Sequence, residues 1–422
     1  MTVNVFLNLD GQDVHMGTMF SHVRRGREST TFRYSSEYIA HPSAYSLEPA
    51  MPLTTGEHAF SQGLPYSFRD ASPDRWGRIL IEKGLRQQWA RDGEPLHTIT
   101  ELDYLLNTSD ATRQGALRFK RQNSDVFEST GKQVPKMLAL PELLTAAYNF
   151  CSDDRDDADT FAAIKTLLDA GTASLGGARP KSSIIDEASP GVSVLHIAKF
   201  PHPGDQWDIM RWEKIALDIA EGAGVRIPEN RLIQVDDVNV LLLRRFDRSD
   251  IGDRIGFMSA MTLLEKSDGE VADYLDLADA LTEVSISAAA DLLELWRRIL
   301  LSIAINNTDD HLRNHALLRQ DSAWNLSPVF DVNPNPDLNS SRVTAINGET
   351  SFAKAWEATI ETRELFGVSI NDAGEVLAQL LNALRQWDAI ARKNGASEQE
   401  IRLFTPVFKR AIEAVNAQQA SI

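Results

Sequence analysis

Asn306-Asn307-Thr308-Asp309-Asp310-His311-Leu312-Arg313-Asn314, followed downstream by Phe330-Asp331, is the stretch on which the reading of this 422-residue chain turns. It follows a long apolar segment, Ala288 to Ile305, whose spacing predicts an amphipathic helix. An Asp, an Asn five positions on and a later Phe-Asp supply one proton acceptor and two hard oxygen ligands. Phosphoryl transfer needs that set, because the protein contributes positioning and charge neutralisation with little covalent chemistry. Asp309 would accept the proton of the acceptor hydroxyl, and Asn314 and Asp331 would hold Mg²⁺. The plainer reading makes Asp309-Asp310 a helix end or a turn. What tells against it lies upstream.

Three features precede the stretch in the order a nucleotide site needs. Ser174-Leu175-Gly176-Gly177-Ala178-Arg179-Pro180-Lys181 is a small-residue loop. Its glycines let backbone N–H groups approach phosphate oxygens without a Cβ clash. Ser174, Gly176, Gly177, Ala178 and Lys181 are therefore nucleotide-contact candidates, although the loop is neither a Walker A sequence nor GxGxxG and alone reads equally as a tight loop. Lys199 ends the strand His196-Ile197-Ala198-Lys199-Phe200. In kinases a lysine so placed grips the nucleotide phosphates and pairs with a helix glutamate, here Glu213. Taken alone it is a snorkelling edge-strand lysine. Leu241-Leu242-Leu243-Arg244-Arg245-Phe246-Asp247-Arg248 is an apolar strand opening into a charged turn. It would act as a hinge along an adenine edge, with Phe246 over the base and Asp247 near the ribose, and Arg245 counts with them among the ATP-binding candidates; without context it is a strand exit. His311 packs or hydrogen-bonds within the catalytic loop and counts with the nucleotide-contacting residues. Zinc is not expected there, since no Cys is near and His315 lacks further partners.

Bulk properties narrow the classes. The length exceeds one ordinary core, and 43% hydrophobic with 24% charged residues is a globular composition. Sixty acidic against 43 basic side chains give a net charge of -17. That disfavours direct docking on a phosphate backbone, so DNA is expected only through a partner. A single cysteine, Cys151, excludes an internal disulfide and fits a reducing compartment. The start has no signal-peptide pattern and no apolar run of spanning length occurs, so a cytoplasmic protein without membrane contact is expected.

Along the chain, Val3 to Gly11 and Thr30 to Tyr34 read as strands, and Ser72-Pro73-Asp74 as a helix start. The acidic Ser152 to Asp159 run reads as a link or a helix N-terminal charge cluster. A helix over 161–169 follows, then a hairpin, Ser182–Ile185 with Val192–Phe200, turning through Ser189-Pro190-Gly191. A helix from Asp208 to Glu221 and strands 231–235 and 238–244 about Asp236-Asp237 complete this part. Beyond Met258 the spacing is helical, with amphipathic segments at Asp372 to Asn394 and Glu398 to Asn416. The expected organisation is an N-terminal subdomain at 1–155, a nucleotide-binding β-rich part at 156–257 and a helical C-lobe at 258–422. The fold class is α+β, bilobal and protein-kinase-like, with a mixed N-terminal lobe and an all-α C-terminal lobe.

Taken together, the Ser-x-Gly-Gly-Ala-x-x-Lys loop, the Ile-x-Lys strand, Arg-Phe-Asp-Arg and Thr-Asp-x-His-x-x-Asn match a known family in order. With the Ser72-Pro73-Asp74-Arg75-Trp76-Gly77-Arg78 segment, the chain resembles HipA-type serine/threonine kinases, toxins of bacterial toxin–antitoxin pairs, over nearly its whole length. The resemblance implies an ATP·Mg²⁺-dependent protein kinase related in fold to phosphoinositide kinases. Lys199 would lie on the phosphates, Asp309 would be the base, and Asn314 and Asp331 would be on metal. It also implies autophosphorylation at Ser174, a HipB-like helix-turn-helix antitoxin as partner, and a translation-related protein substrate such as an aminoacyl-tRNA synthetase. A phosphate on Ser174 adds about -1.5 to -2 charges where the loop should cradle an anionic nucleotide, so it would switch the enzyme off. Arg244 departs from the acidic residue common at the hinge, and Pro180 alters the loop end. Two other functions fit the residues: a phosphoinositide or small-molecule kinase, and a non-catalytic scaffold that binds an antitoxin.

Overall fold

Alternation sets the first sheet. In β1, Thr2–Leu9, every second residue (Val3, Val5, Leu7) is buried, as expected for a strand with one face on a core. Asp10 and Gly11 both take left-handed φ (49° and 77°), which suits a two-residue hairpin turn into β2, Gln12–Arg24. β3 is Arg27–Tyr34, β4 is Glu57–Phe60 and β5 is Leu117–Arg121. They form an antiparallel sheet in the order β4-β3-β2-β1-β5. This computed structural model describes residues 1–61, 63–128, 134–151, 157–171, 179–189, 192–320 and 323–420. The loop residues Ser174, Gly176, Gly177 and Ala178, the Pro190-Gly191 turn and most of the acidic link lie outside the described residues.

A second sheet carries the predicted hairpin. β6, Lys181–Ser189, pairs antiparallel with β7, Val192–Lys199, and Lys181 lies opposite Lys199. β8, Asn230–Val235, and β9, Val238–Arg244, complete the order β6-β7-β9-β8. Val240 through Leu243 are buried without a break, as in a strand covered on both faces. One face of this sheet, with Ile184, Ala198, Phe200 and Leu242, packs on Trp76, Leu80, Leu143, Phe150 and Leu167. Those residues come from helices Arg75–Asp92, Leu140–Cys151 and Asp157–Asp169. Because strand side chains alternate, Lys199 leaves β7 on the face opposite Ala198. Asp74 caps the first of these helices, accepting from Gly77 N at 2.8 Å, as the Ser-Pro-Asp signal predicts.

The chain forms two compact units, Met1–Gly204 with Ile233–Met258, and Asp205–Leu232 with Ser259–Ile422. Helix Ile209–Gly222, which carries Glu213, belongs to the second. That unit is mainly helical, with long helices at Ala288–Ala304, Ile370–Arg385 and Glu398–Gln419. It also holds an antiparallel hairpin, Ala316–Gln320 with Ala323–Leu326. The apolar run 372–394, expected as one helix, is two: Ile370–Arg385 and Trp387–Lys393. Gln386 N closes onto Ala383 O at 3.1 Å, a tighter turn that redirects the chain and lets Trp387 stack on Phe408, with ring centroids 4.5 Å apart. Trp212 stacks on Phe404 from the same last helix at 3.7 Å. No helix of the described residues is long and apolar enough to cross a membrane.

Candidate active site

Helix Ala288–Ala304 stops abruptly at Asn306, whose φ of 57° is left-handed. Asparagine tolerates that conformation better than most residues, and here its side chain is gripped on three sides. Asn306 Nδ2 donates to Asn335 O at 2.7 Å and Asp337 O at 2.9 Å, and its Oδ1 accepts from Arg410 Nη2 at 2.9 Å. Asn335 Nδ2 also donates to Thr308 Oγ1 at 2.9 Å, and Val343 N to Thr308 O at 3.0 Å. Asn335 and Asp337 thus anchor the start of the 306–314 loop, which the sequence motif did not reveal.

The two adjacent aspartates then part. Asp310 is buried at 7% exposure and accepts from Tyr274 Oη at 2.5 Å and Ser302 Oγ at 2.7 Å. His315 Nε2 lies 3.1 Å away and Arg342 Nη2 3.9 Å away. Burial would raise the Asp310 carboxyl, but His315, Arg342 and the Tyr274 hydroxyl outweigh it and hold the group well below the usual carboxylate range. Asp309 instead is exposed. Among the described residues its carboxylate makes no hydrogen bond; only its main-chain oxygen is used, accepting from His311 N at 3.0 Å and Asn314 Nδ2 at 3.3 Å. Desolvation by its surroundings raises the Asp309 carboxyl, the nearby Asp331 and Asp310 carboxylates raise it further, and His311 opposes them.

Asn314 closes the short Leu312–Asn314 turn, with its N–H on His311 O at 2.8 Å, and is buried. Asp331 also takes a left-handed φ of 57° and accepts from Asn333 Nδ2 at 3.1 Å. A non-glycine residue held there is strained, and such strain collects at functional positions. The second unit therefore brings Asp309, His311, Asn314 and Asp331 together. Two carboxylates near enough to repel each other, with the Asn314 side chain held on the same loop, have the chemistry of a hard divalent cation site. No cluster of three or more His, Cys, Asp or Glu with metal-binding geometry occurs among the described residues.

The other expected site residues are divided between the two units. Lys199 is buried on β7 of the first unit, and Glu213 is buried on helix Ile209–Gly222 of the second. Lys181, expected on a nucleotide, has its ammonium 2.9 Å from Asp74 Oδ2, both side chains being buried. Phe246 is half-buried. Asp247, expected beside a ribose, and Arg245, also expected at the nucleotide, are buried and bonded to each other. Arg245 holds Asp247 through Nε at 2.8 Å and Nη2 at 2.6 Å, Arg248 Nη1 donates at 2.8 Å, and Gly115 N at 2.8 Å. Burial would raise the Asp247 carboxyl, but Arg245 and Arg248 hold it far below the usual range. The reason is topological. The turn after β9 meets the 110–115 segment, whose carbonyls need donors, and Arg245 Nη1 supplies Thr112 O at 2.6 Å.

Comparison with known proteins follows the same lines. Residues 173–387 match the HipA-like C-terminal domain family, and residues 10–120 match the HipA N-terminal domain family. A Haemophilus influenzae protein carrying the name of a kinase is 24% identical over 247 residues, half of this chain and 69% of the relative. The structure of Shewanella oneidensis HipA, determined with HipB and its operator DNA, superposes with a TM-score of 0.69 at 14% identity. The match covers 98% of this chain and 97% of that one. With the C-terminal domain match alone spanning half of its length, the chain belongs to the HipA family.

Proposed function

We propose that this protein is the toxin kinase of a toxin–antitoxin pair, an ATP·Mg²⁺-dependent serine/threonine protein kinase acting on a translation-related protein. The observation that carries the reading is the splitting of Asp309 from Asp310. One acid faces outward beside Asn314 and Asp331, while its neighbour is spent on holding the loop. In this reading Asp309 orients the acceptor hydroxyl and takes its proton, and Asn314 and Asp331 hold the cation. Bound Mg²⁺ would supply charge neutralisation on the transferred phosphoryl group. Lys199 serves the nucleotide phosphates, with Glu213 as its ion-pair partner, and the 174–181 loop covers them. The raised Asp309 carboxyl suits a proton acceptor. A HipB-like antitoxin is the proposed partner and would carry any DNA contact, in keeping with the net charge of -17.

The test is intact and peptide mass spectrometry after incubation with ATP and Mg²⁺. Wild type is expected to gain one phosphate on Ser174, and Ser174→Ala to gain none on that loop. Phosphate persisting on the loop of Ser174→Ala would remove the self-limiting switch. Asp331→Asn exchanges one anionic ligand for a neutral one and is expected to weaken Mg²⁺-dependent ATP binding by roughly tenfold or more, as loss of a charge-assisted contact does. Calorimetric titration with and without Mg²⁺ checks it, and an unchanged Mg²⁺ dependence would take Asp331 out of the metal role.

A further inference from the structure

We infer that the first unit carries a second anion site, an arginine-lined pocket at the turn after β9 that takes a phosphate group. The pocket is a cavity of about 210 Å³, and its lining includes Arg244, Arg245, Arg248, Arg254 and Ser249 and no carboxylate. These four arginines pair with three aspartates, Asp247, Asp110 and Asp250, so on a chain of net charge -17 the turn keeps a local excess of positive charge, which favours anions.

The four guanidiniums do not play one part. Arg245 is spent inside the protein on Asp247 and Thr112 O. Arg248 and Arg254 form walls. Arg248 Nη2 donates to Arg113 O at 2.6 Å, and Arg254 Nη2 to Asp110 Oδ2 at 3.1 Å. Among the described residues their Nε–H groups reach no protein acceptor, and neither is sealed away from space as Arg113 Nε is. Arg244 is the most open of the four, its side chain 30% exposed, and it is ion-paired to Asp250, which is 90% exposed. An ion pair with so exposed a partner is weak and exchanges readily.

Fixed guanidinium forks match the oxygens of a phosphate group. The cavity is several times the ~30 Å³ of one liquid water yet below the ~300 Å³ at which drug-sized pockets begin, so it suits a phosphate with a short piece of its carrier. Burial, then repulsion from Arg245 and Arg254, outweighs Asp247 and pulls Arg248 down to about 9, a penalty that an entering anion relieves.

The source is free phosphate or a phosphoserine side chain, and two titrations of the full chain separate them. Inorganic phosphate and a short phosphoserine peptide are added at constant ionic strength, and arginine Nε–H resonances are followed by NMR with calorimetry alongside. Saturable shifts of Nε–H resonances are expected, at lower concentration for the true source. The resonance lost in Arg244→Ala identifies the rim residue. That substitution is expected to weaken binding by roughly tenfold or more, with partial recovery in Arg244→Lys. Should Arg244→Ala not fold, the wild-type shifts still decide. A linear response to both ligands, or an affinity unchanged in folded Arg244→Ala, overturns the site.

Discussion

Asp309→Gln is expected to fold like wild type and to transfer phosphate roughly 10³-fold more slowly, the scale set by losing a positioned general base. Both halves of this expectation come from geometry. The Asp309 side chain is exposed, and the loop is held through its main-chain oxygen, to which His311 N and Asn314 Nδ2 donate. Replacing the exposed carboxylate by an amide one methylene longer leaves those main-chain bonds in place. What is lost is the proton acceptor and one negative charge facing Asp331. Phosphate incorporation by mass spectrometry, with a thermal melt on the same samples, reads both. A variant that phosphorylates at the wild-type rate would exclude Asp309 as base.

Asp310→Ala is expected to do the reverse, lowering stability by about 3–5 kcal/mol, the cost of stripping one partner from a buried charged network. The substitution takes the shared acceptor from Tyr274, Ser302, His315 and Arg342, leaving Ser302 with Asn307 O at 3.3 Å and Arg342 with Ser302 Oγ at 2.8 Å among the described residues. Asp310→Asn keeps an acceptor for the two hydroxyls and should recover part of the loss. The pH dependence has a definite sign. The folded carboxyl lies below its ordinary 3.8, so the unfolded chain takes up the proton first as pH falls. The contribution is fully present above that value and is lost as pH drops below it toward the folded one, and in Asp310→Ala this acid-side slope disappears. Chemical denaturation between neutral pH and pH 3 measures it. Equal stability of wild type and Asp310→Ala would show that the network is not a structural anchor.

These variants differ by one position in sequence, and that is the measure of how much the chain alone could say. The periodicity of Ala288–Ala304, the Asp10-Gly11 turn and the Asp74 cap are legible because each is decided within a few residues. The order of loop, lysine, hinge and Asp-Asn-Asp was legible for the same reason, and it pointed to the family. β2 and β5 were not legible, and neither was the hairpin that follows His315. β5 takes its pairing from β1, far back in the chain, and β2 buries adjacent Met16 and Gly17 and so breaks strict alternation, which leaves a weak local signal in both. Asp247 looked like a ligand residue because nothing nearby in sequence announces the 110–115 carbonyls that claim its arginines.

The sequence by itself determined helices such as Ala288–Ala304, the Asp10-Gly11 turn, the Asp74 cap and the inventory of chemically able residues, since these depend on backbone preference and local spacing. Only the tertiary structure decided which of those residues are spent. It turned Asp310 inward onto Tyr274 and His315, gave Lys181 to Asp74, closed Arg245 on Asp247, and left Asp309 facing out beside Asp331. A charge is free for function or committed to structure according to the desolvation and the partners that distant segments impose, and neither is written in its neighbours.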